Sequence, residues 1–405
     1  MMKLKYADRM QQVKGLETRE IIKFIGKPGI ISFAGGLPAP ELFPVEELKQ
    51  ISVKVLEENG ASALQYVPTD GYPPLRQKIA ERMRNLGVKT SLENILIING
   101  SQQGIDFSGK LFLNPGDVVI CEKPSYLGAI GAFRSYQAQF IEIPIDNDGM
   151  ILNELKRVLA KTPKAKMIYV TPDFQNPTGI SWSETRRKEF LDIVNKFNLP
   201  VIEDNPYGEL RFEGERIPPI KAFDTEGRVV FLGTFSKILC PGLRIGWICA
   251  DREVIKKYVM LKEVADLQCN TIAQREVALF LEEFDIDANI KRITQVYKQR
   301  RDLMIKIMKE HFPPEVKFST PEGGFFIWLE FPKNINGREL LEKAQEEKVA
   351  FVPGECFYPN GGHENSIRLN FSNMTESKII EGMKRLAKIL HKELPKECTS
   401  GLKLE

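Results

Sequence analysis

The segment GTFSKILCPGLRIGW, residues 233–247, places Lys237 and Arg244 among residues that are otherwise apolar, small or hydroxylic. The hydroxyls of Thr234 and Ser236, together with a guanidinium, are groups that bind phosphate. A lysine in a low-dielectric site loses its charge and becomes a nucleophilic amine, although a lone lysine on a loop is more often simply solvated. The segment lacks the G-x-x-x-x-G-K-[ST] pattern, so an NTP-binding loop does not explain it.

Two further segments place groups suited to ligand binding after predicted strands. In ILIINGSQQG, a strand, a glycine turn and a helix start direct the backbone N–H groups of Ser101 and Gln102 towards an anion, although serine also begins many helices as a cap. In YVTPDFQNPTG, a turn stiffened by prolines holds the amide of Asn176 so that it can donate to a ligand oxygen. The alternative is that this asparagine only tolerates an unusual backbone geometry.

A carboxylate and an arginine occupy apolar surroundings that normally exclude charge. Asp204 follows an apolar strand in VIEDNPYGEL, three residues before Tyr207. A buried carboxylate needs a partner such as a cationic ring nitrogen, and the alternative is a cap of the following turn. Arg368 interrupts the β-like run SIRLNFS. Such an arginine must pair with an anion, for which a substrate carboxylate is a good bidentate match.

These groups are more specific together than separately. Phosphate donors, an amine nucleophile, an acid for a ring nitrogen, an amide for a ring oxygen and a carboxylate-binding arginine describe a pyridoxal 5′-phosphate enzyme. The set therefore predicts an enzyme of this kind that acts on amino acids.

The elements that must position this site follow from the order of apolar and amphipathic stretches. Short β-rich runs alternate with helical stretches from NILIING to RIGWICA, which predicts an α/β domain with a mainly parallel sheet between helices. Sites in such sheets form beyond the carboxyl ends of the strands. The later runs VKFSTPEGGFFIWLEF, VAFVPGECF and SIRLNFS predict a smaller α+β domain. We place an N-terminal segment that packs with the small domain at residues 1–45, the large domain at 46–300 and the small domain at 301–405.

Composition excludes several classes of partner. The 405 residues are 42% apolar and 27% charged, and 57 basic against 54 acidic side chains leave a net charge of +3. This balance argues against nucleic acid or an anionic membrane as a partner. The chain begins without the apolar stretch of a signal peptide and has no membrane-spanning window, so we expect a cytoplasmic protein. Six scattered cysteines without a C-x-x-C pair and only three histidines argue against a metal site.

The sequence resembles the fold-type I pyridoxal-phosphate aminotransferases of class I/II over essentially its whole length. The resemblance rests on the motifs FAGGLPAPELFP, LQYVPTDGYPPLR, GSQQGID, FQNPTG, EDNPYGEL, FSKILCPGLRIGW and IRLNFS. It is most similar to the branch of 2-aminoadipate and kynurenine aminotransferases, whose relatives also accept leucine and aromatic amino acids. The resemblance implies an aspartate aminotransferase-like fold and a homodimer whose active site is shared between subunits.

The resemblance also implies a role for each residue of the site. Lys237 would be the Schiff-base lysine and general acid/base, and Asp204 would pair with the pyridinium nitrogen. Asn176 and Tyr207 would contact the phenolic oxygen, and Tyr126 would stack on the ring. The phosphate would be bound by Ser101, Gln102, Thr234, Ser236, Arg244 and, from the partner subunit, Tyr66. Arg368 would bind the substrate α-carboxylate, while Asn176 and Gly36 would line the substrate pocket.

The implied reaction transfers an amino group from an L-amino acid to 2-oxoglutarate by a ping-pong mechanism. In this branch an N-terminal arginine can meet the distal carboxylate of a dicarboxylic substrate, and Arg19 in GLETREIIKF is suitably placed. The alternative is an ordinary exposed helix arginine. We expect a broad range of donors that includes 2-aminoadipate, leucine and aromatic amino acids.

Two alternatives use the same features. A β-lyase or a decarboxylase works with the same cofactor, and some bacterial transcription regulators carry this fold behind a winged-helix DNA-binding domain. Too few residues precede position 30 for such a domain, and the charge is near neutral, so we expect an enzyme rather than a regulator.

Overall fold

A sheet of eight strands forms the centre of the molecule, in a computed structural model that describes residues 4–11 and 29–394. The first strand, β1 (Ile31–Ser32), lies outside this sheet. The eight strands are β2 (Ile95–Ile98), β3 (Val118–Lys123), β4 (Gln139–Asp146), β5 (Gly149–Met150), β6 (Ala165–Val170), β7 (Val201–Asp204), β8 (Val229–Thr234) and β9 (Gly246–Cys249).

The strands follow the spatial order β2-β9-β8-β7-β6-β3-β4-β5. Strands β4, β3, β6, β7 and β8 pair in parallel, whereas β9 is antiparallel to both of its neighbours and β5 is antiparallel to β4. The carboxyl ends of the parallel strands therefore meet at one edge. The prediction of a mainly parallel α/β sheet is confirmed.

Helices cover both faces of this sheet. The described α-helices are α1 (Val45–Ala63), α2 (Pro73–Asn85), α3 (Ser101–Phe112), α4 (Leu127–Arg134), α5 (Leu152–Leu159), α6 (Glu184–Val194), α7 (Ile220–Phe223), α8 (Arg252–Ala265), α9 (Thr271–Glu283), α10 (Ile286–His311), α11 (Gly337–Glu346) and α12 (Glu376–Glu393). None of the described helices is both long and apolar enough to cross a membrane.

Alternate residues of the central strands enter two different cores. Tyr169 and Ile202 belong to a cluster with apolar residues of α3, α4 and α8, whereas Ile168 and Val201 belong to a cluster with α5, α6 and α7. Because both faces are buried, these strands are continuous apolar runs rather than alternating ones. The few polar side chains on them therefore stand out.

A second sheet lies in the C-terminal part of the chain. Its strands β10 (Lys317–Phe318), β11 (Phe326–Glu330), β14 (Ser366–Asn370) and β13 (Val352–Pro353) pair antiparallel in that order, and β12 (Val349–Ala350) pairs in parallel with β1. The N-terminal strand is thus held by the C-terminal part of the chain. The proposed domain boundary at residue 300 falls inside α10, and the division into domains stays a prediction.

Candidate active site

A cavity of about 460 Å³ opens beyond the carboxyl ends of β6, β7 and β8. It collects residues from distant parts of the sequence, and those named from the sequence are Gly36, Ser101, Gln102, Tyr126, Asn176, Asp204, Tyr207, Thr234, Ser236, Lys237, Arg244 and Arg368. Tyr66 does not line this cavity, and its side chain is 76% exposed. Arg19 lies outside the described residues.

Lys237 follows β8 and places its amine inside the cavity. Its Nζ donates a hydrogen bond to the carbonyl oxygen of Gly36 at 2.8 Å. Burial, reinforced by the positive charges of Arg368 and Arg244, lowers the pKa of Lys237 to about 8, while the charge of Asp204 opposes that shift. Roughly a tenth of the amine is therefore neutral at pH 7, far more than for an exposed lysine, and a nucleophile or a general base requires this neutral form.

Asp204 ends β7 and is buried at the base of the same cavity. Its Oδ2 accepts a hydrogen bond of 2.7 Å from the hydroxyl of Tyr169, whereas its Oδ1 has no partner. Burial raises the pKa of Asp204 to about 6, against the hydrogen bond of Tyr169 and the charge of Lys237, which lower it. A buried carboxylate oxygen without a partner is costly, so this oxygen is suited to a cationic ligand group.

One end of the cavity is built around the start of α3. The residue before the helix, Gly100, has φ +77° and no side chain to cap the first turn. A Cβ built on Gly100 would clash with Nη2 of Arg244 unless the guanidinium moved, and the positive φ itself favours glycine at this position. An uncapped helix start beside an arginine attracts an anion.

Arg244 itself adopts a left-handed conformation, with φ +57°. Its guanidinium donates to the carbonyl oxygens of Asn99 at 3.0 Å and Pro241 at 3.3 Å, which holds it beside the helix start. The hydroxyls of Thr234 and Ser236 lie 2.9 Å apart at the same end of the cavity. This end combines hydroxyls, a guanidinium and backbone N–H groups, the donors that a phosphate prefers.

Arg368 lies in β14 and lines the same cavity. Its Nη1 donates to Oδ1 of Asn176 at 2.6 Å and its Nη2 to the carbonyl oxygen of Ala34 at 2.5 Å, while its Nε has no partner. Because arginine can only donate, the amide oxygen of Asn176 is occupied, and its Nδ2 is left for a ligand. Burial lowers the pKa of Arg368 to about 10, so the guanidinium is charged and suited to a carboxylate.

Two tyrosines also line the cavity. Tyr126 donates to Oε1 of Gln102 at 3.3 Å, and burial and the charge of Asp204 raise its pKa to about 12. Tyr207 packs edge-on against Phe326, and burial raises its pKa far above the usual range. Both phenols are therefore neutral, and act as ring surfaces and hydrogen-bonding groups.

The sequence did not indicate several residues of this site. Tyr169 and Thr171 lie at the end of the apolar run AKMIYVTP, and Leu37 and Leu127 supply apolar lining. A signal for Tyr169 existed, because a hydroxyl inside a strand buried on both faces needs a partner. Its partner lies on the neighbouring strand, where Tyr169 pairs in register with Ile202, and the sequence alone does not give that pairing.

The residues present fit pyridoxal phosphate. A group of phosphate-type donors, an amine, a buried acid with an open oxygen and an arginine suited to a carboxylate share one cavity. The unpartnered Oδ1 of Asp204 matches the protonated ring nitrogen of this cofactor, and the uncapped start of α3 beside Arg244 matches its phosphate.

Comparisons with known proteins agree with this geometry. A family model for class I and II aminotransferases matches residues 34–386. Aromatic-amino-acid aminotransferase 1 of Thermococcus litoralis is 44% identical over 396 residues, which cover 96% of this chain and 95% of the relative.

Two solved structures are similar over almost the whole chain. The kynurenine aminotransferase of Pyrococcus horikoshii, in complex with PMP, with KYN as substrates and KYA as products, has a TM-score of 0.92 and 41% identity, covering 96% of this chain and 97% of that one. The α-aminoadipate aminotransferase of Thermus thermophilus, in complex with N-(5′-phosphopyridoxyl)-L-leucine, has a TM-score of 0.90 and 39% identity, covering 96% and 98%. The expected family, enzyme class and cofactor are confirmed. The chain belongs to the class I and II aminotransferases, of fold type I, and uses pyridoxal phosphate.

Proposed function

We propose that this aminotransferase transfers the amino group of 2-aminoadipate, leucine or aromatic amino acids to 2-oxoglutarate by a ping-pong mechanism. The observation that carries the proposal is the meeting of Lys237, with a pKa near 8, and Arg368 in one cavity. One group moves a proton at the substrate Cα, and the other fixes the α-carboxylate beside it.

The choice of donors draws on the relatives and on the lining of the cavity. The similar proteins are named for aromatic amino acids, kynurenine and α-aminoadipate, and one was solved with a leucine conjugate. Leu37 and Leu127 give this cavity apolar surface that suits leucine and aromatic side chains. For a distal carboxylate we propose Arg19, which lies outside the described residues.

The cofactor would be bound by three groups of residues. Lys237 would bind it covalently, and Ser101, Gln102, Thr234, Ser236 and Arg244 would bind its phosphate. Asp204 would pair with its ring nitrogen, Asn176 and Tyr207 with its phenolic oxygen, and Tyr126 would stack on its ring. When bound, pyridoxal phosphate supplies an electron sink for the electrons of the broken Cα–H bond.

The chain's own residues would then carry the proton and hold the charges. Lys237, neutral above its pKa, accepts the proton that leaves the substrate Cα at its Nζ. Asp204, ionised by its cationic partner, keeps a proton at the ring nitrogen. Arg368 holds the α-carboxylate so that the Cα faces Nζ.

A ping-pong order follows if donor and acceptor use the same arginine. Both an amino acid and a 2-oxo acid carry an α-carboxylate, and Arg368 lines the cavity beside Asn176 and Ala34 rather than beside the residues that hold Arg244. The donor product must then leave before the acceptor binds.

A homodimer would complete the site. Five large apolar side chains are exposed on two segments of the chain, and we treat them together as an apolar patch: Leu64, Tyr66, Met260, Val264 and Leu267. Its two segments are joined by a hydrogen bond from the Val67 backbone to Oε1 of Gln268 at 2.6 Å. Exposed apolar patches of this kind favour association. We propose that this patch contacts a second copy and that Tyr66 reaches the partner's phosphate end.

Sedimentation and cofactor titration test the dimer. The wild-type protein should sediment as a dimer, Val264→Asp should shift it towards monomer, and Tyr66→Phe should weaken cofactor binding without dissociating it. A wild-type monomer would contradict the proposal.

A half-reaction assay tests the function. The holoenzyme, without acceptor, is incubated with 2-aminoadipate, leucine, phenylalanine, kynurenine, glutamate and alanine in turn. We expect stoichiometric 2-oxo acid and pyridoxamine phosphate from the accepted donors. Adding 2-oxoglutarate should then restore the starting cofactor and release glutamate.

The same assay separates the alternatives. Serine and cysteine are included because β-elimination needs a leaving group on Cβ, and pyruvate with ammonia from either would indicate a β-lyase. Release of CO₂ would indicate a decarboxylase, and no product from any donor a regulator. Lys237→Ala is the control, because without its amine both the covalent link and the turnover should be lost. Full turnover of Lys237→Ala would exclude the role of this lysine.

A further inference from the structure

An ion pair between a buried lysine and a half-buried aspartate lies near the phosphate end, outside the lining of the cavity. Lys262 in α8 is 0% exposed, and its Nζ contacts both carboxylate oxygens of Asp266, at 2.8 and 3.0 Å. Taking a lysine fully out of water is unfavourable unless its charge is well paired. A contact between two residues of one helix turn does not by itself explain why this lysine is buried.

The pair organises two amides near the start of α3. Asp266 Oδ2 accepts from Nδ2 of Asn99 at 2.8 Å and from Nε2 of Gln103 at 2.7 Å. Gln103 Oε1 accepts from Nζ of Lys262 at 3.2 Å and from the backbone N–H of Asn99 at 2.9 Å. Each of the four residues is thus bonded to at least two of the others, which makes a closed network.

This network holds the two sides of the phosphate-binding turn. Asn99 and Gln103 bracket Gly100, Ser101 and Gln102, and the carbonyl oxygen of Asn99 accepts from Nη2 of Arg244 at 3.0 Å. Any movement of Asn99 would therefore displace both the helix start and the guanidinium. The turn has little freedom to adjust by itself, since no space for even a Cβ is left between Gly100 and Nη2 of Arg244.

We propose that the Lys262–Asp266 pair, through Asn99 and Gln103, is a positioning device that fixes the phosphate-binding turn and Arg244 in their binding geometry. This inference rests on the proposed phosphate end of the cavity. Residues behind a binding site that orient its direct contacts raise affinity by removing the cost of ordering them. A role restricted to packing α8 against α3 would instead affect stability and every ligand alike.

Ligands with and without a phosphate group distinguish a positioning role from a packing role. Apoprotein is titrated with pyridoxal 5′-phosphate, with pyridoxal, which lacks the phosphate, and with inorganic phosphate as a competitor. The variants are Lys262→Met, which removes the charge, and Gln103→Leu, which removes the amide from a half-buried helix position and so keeps the test open if Lys262→Met does not fold. Lys221→Met is the matched control, since Lys221 also pairs with an aspartate on its own helix turn, at 2.9 Å from Asp224.

We expect the Kd for pyridoxal 5′-phosphate to rise roughly tenfold or more in Lys262→Met and Gln103→Leu, as for other residues that orient binding groups. The Kd for pyridoxal should stay near the wild-type value, inorganic phosphate should compete less well, and Lys221→Met should leave all three unchanged. An equal rise for both pyridoxal forms, or no change in either, would overturn the positioning role.

Arg244→Gln separates this inference from the proposal on which it rests. If Arg244→Gln weakens pyridoxal 5′-phosphate but not pyridoxal, the phosphate end is where we propose. If Arg244→Gln shows this effect and Lys262→Met does not, the positioning role of the network is wrong and the location of the phosphate stands. If Arg244→Gln has no phosphate-dependent effect, the proposed location of the phosphate is wrong.

Discussion

Glu203 and Asp204 are neighbours in β7, are 0% and 3% exposed, and enter opposite faces of the sheet. Each oxygen of Glu203 accepts a backbone N–H from the start of α7, from Ile220 and Lys221, both at 2.8 Å. Asp204 accepts only from Tyr169 and keeps Oδ1 open. Burial raises the pKa of Glu203 to about 7 and that of Asp204 to about 6.

The difference shows what distinguishes a structural acid from a binding one. Burial and a raised pKa are common to both, so neither property identifies the functional carboxylate. The protein occupies both oxygens of Glu203, which leaves no capacity for a ligand. Asp204 keeps one oxygen unpartnered beside Lys237 in the cavity, and the missing partner is what points to a ligand.

The largest effect is expected from Asp204→Asn. A neutral amide cannot keep the ring nitrogen of the cofactor protonated, so the rate of the half-reaction should fall roughly a hundredfold or more, as when a charged catalytic group is lost. Cofactor should still bind, since the contacts at the phosphate end are unchanged. Single-turnover absorbance and a cofactor titration measure the two effects. An unimpaired rate would show that Asp204 is not required for the reaction and that the proposed difference between the two acids is wrong.

Glu203→Gln changes the acid on the opposite face of the sheet, and we expect it to affect stability rather than rate. The amide presents an NH₂ to one of the two N–H groups at the start of α7, and a buried donor left without an acceptor costs about 1–3 kcal/mol of stability. Urea unfolding should therefore show lower stability, with the half-reaction rate of the folded protein preserved. A strong loss of rate with unchanged stability would indicate that Glu203 acts in the site.

The sequence was sufficient for the fold because the signals are local. The apolar runs VVIC in β3 and VVFLGT in β8 are buried throughout, and such runs between amphipathic stretches imply a parallel sheet covered on both faces. The separate strand β1 was not indicated, because two residues have no periodicity and Ile31 pairs with Val349, far along the chain.

The sequence predicted those site residues that are charged and lie within apolar runs. Lys237, Asp204 and Arg368 are charged groups inside apolar runs, and all three line the cavity. Tyr169, Lys262 and the partners of Glu203 were not predictable. Their roles depend on contacts across strands and helices, such as that between Lys262 and Gln103, and their residue types are ordinary in local sequence.

Tyr169→Phe is expected to have a smaller effect, which is a change in the pKa of Asp204. Removing the hydroxyl that bonds Oδ2 deletes an interaction that lowers the pKa of Asp204. The acid limb of the pH profile for cofactor binding should therefore move upward by roughly one unit, the size expected for a hydrogen bond to a charged group. Titrating apoprotein with cofactor across a pH series measures this shift.

Tyr258→Phe is the matched control for that change. Tyr258 is also buried, and its hydroxyl lies 2.8 Å from that of Ser108, away from the acids. The acid limb should stay in place in this variant. If both variants shift the limb equally, or neither does, Tyr169 does not act through Asp204.

The two acids should also affect how stability depends on pH, and their contributions should differ only slightly. Both acids have raised pKa values, so the folded apoprotein retains protons that the unfolded chain has already released. Stability should therefore fall as pH rises, between about 4.5 and about 7 for Glu203 and between about 3.8 and about 6 for Asp204. Glu203→Gln and Asp204→Asn should each remove their own part of this slope, measured as urea unfolding free energy against pH.

Bound cofactor should change the pH dependence of stability that is due to Asp204 and leave unchanged the part that is due to Glu203. Its cationic ring nitrogen favours the ionised form of Asp204 and lowers that pKa, so the part of the slope due to Asp204 should disappear in the holoenzyme. The part due to Glu203 should persist, because its oxygens face α7 rather than the cavity. If cofactor removes both parts or neither, the two carboxylates do not differ in access to the ligand, and the distinction between them is wrong.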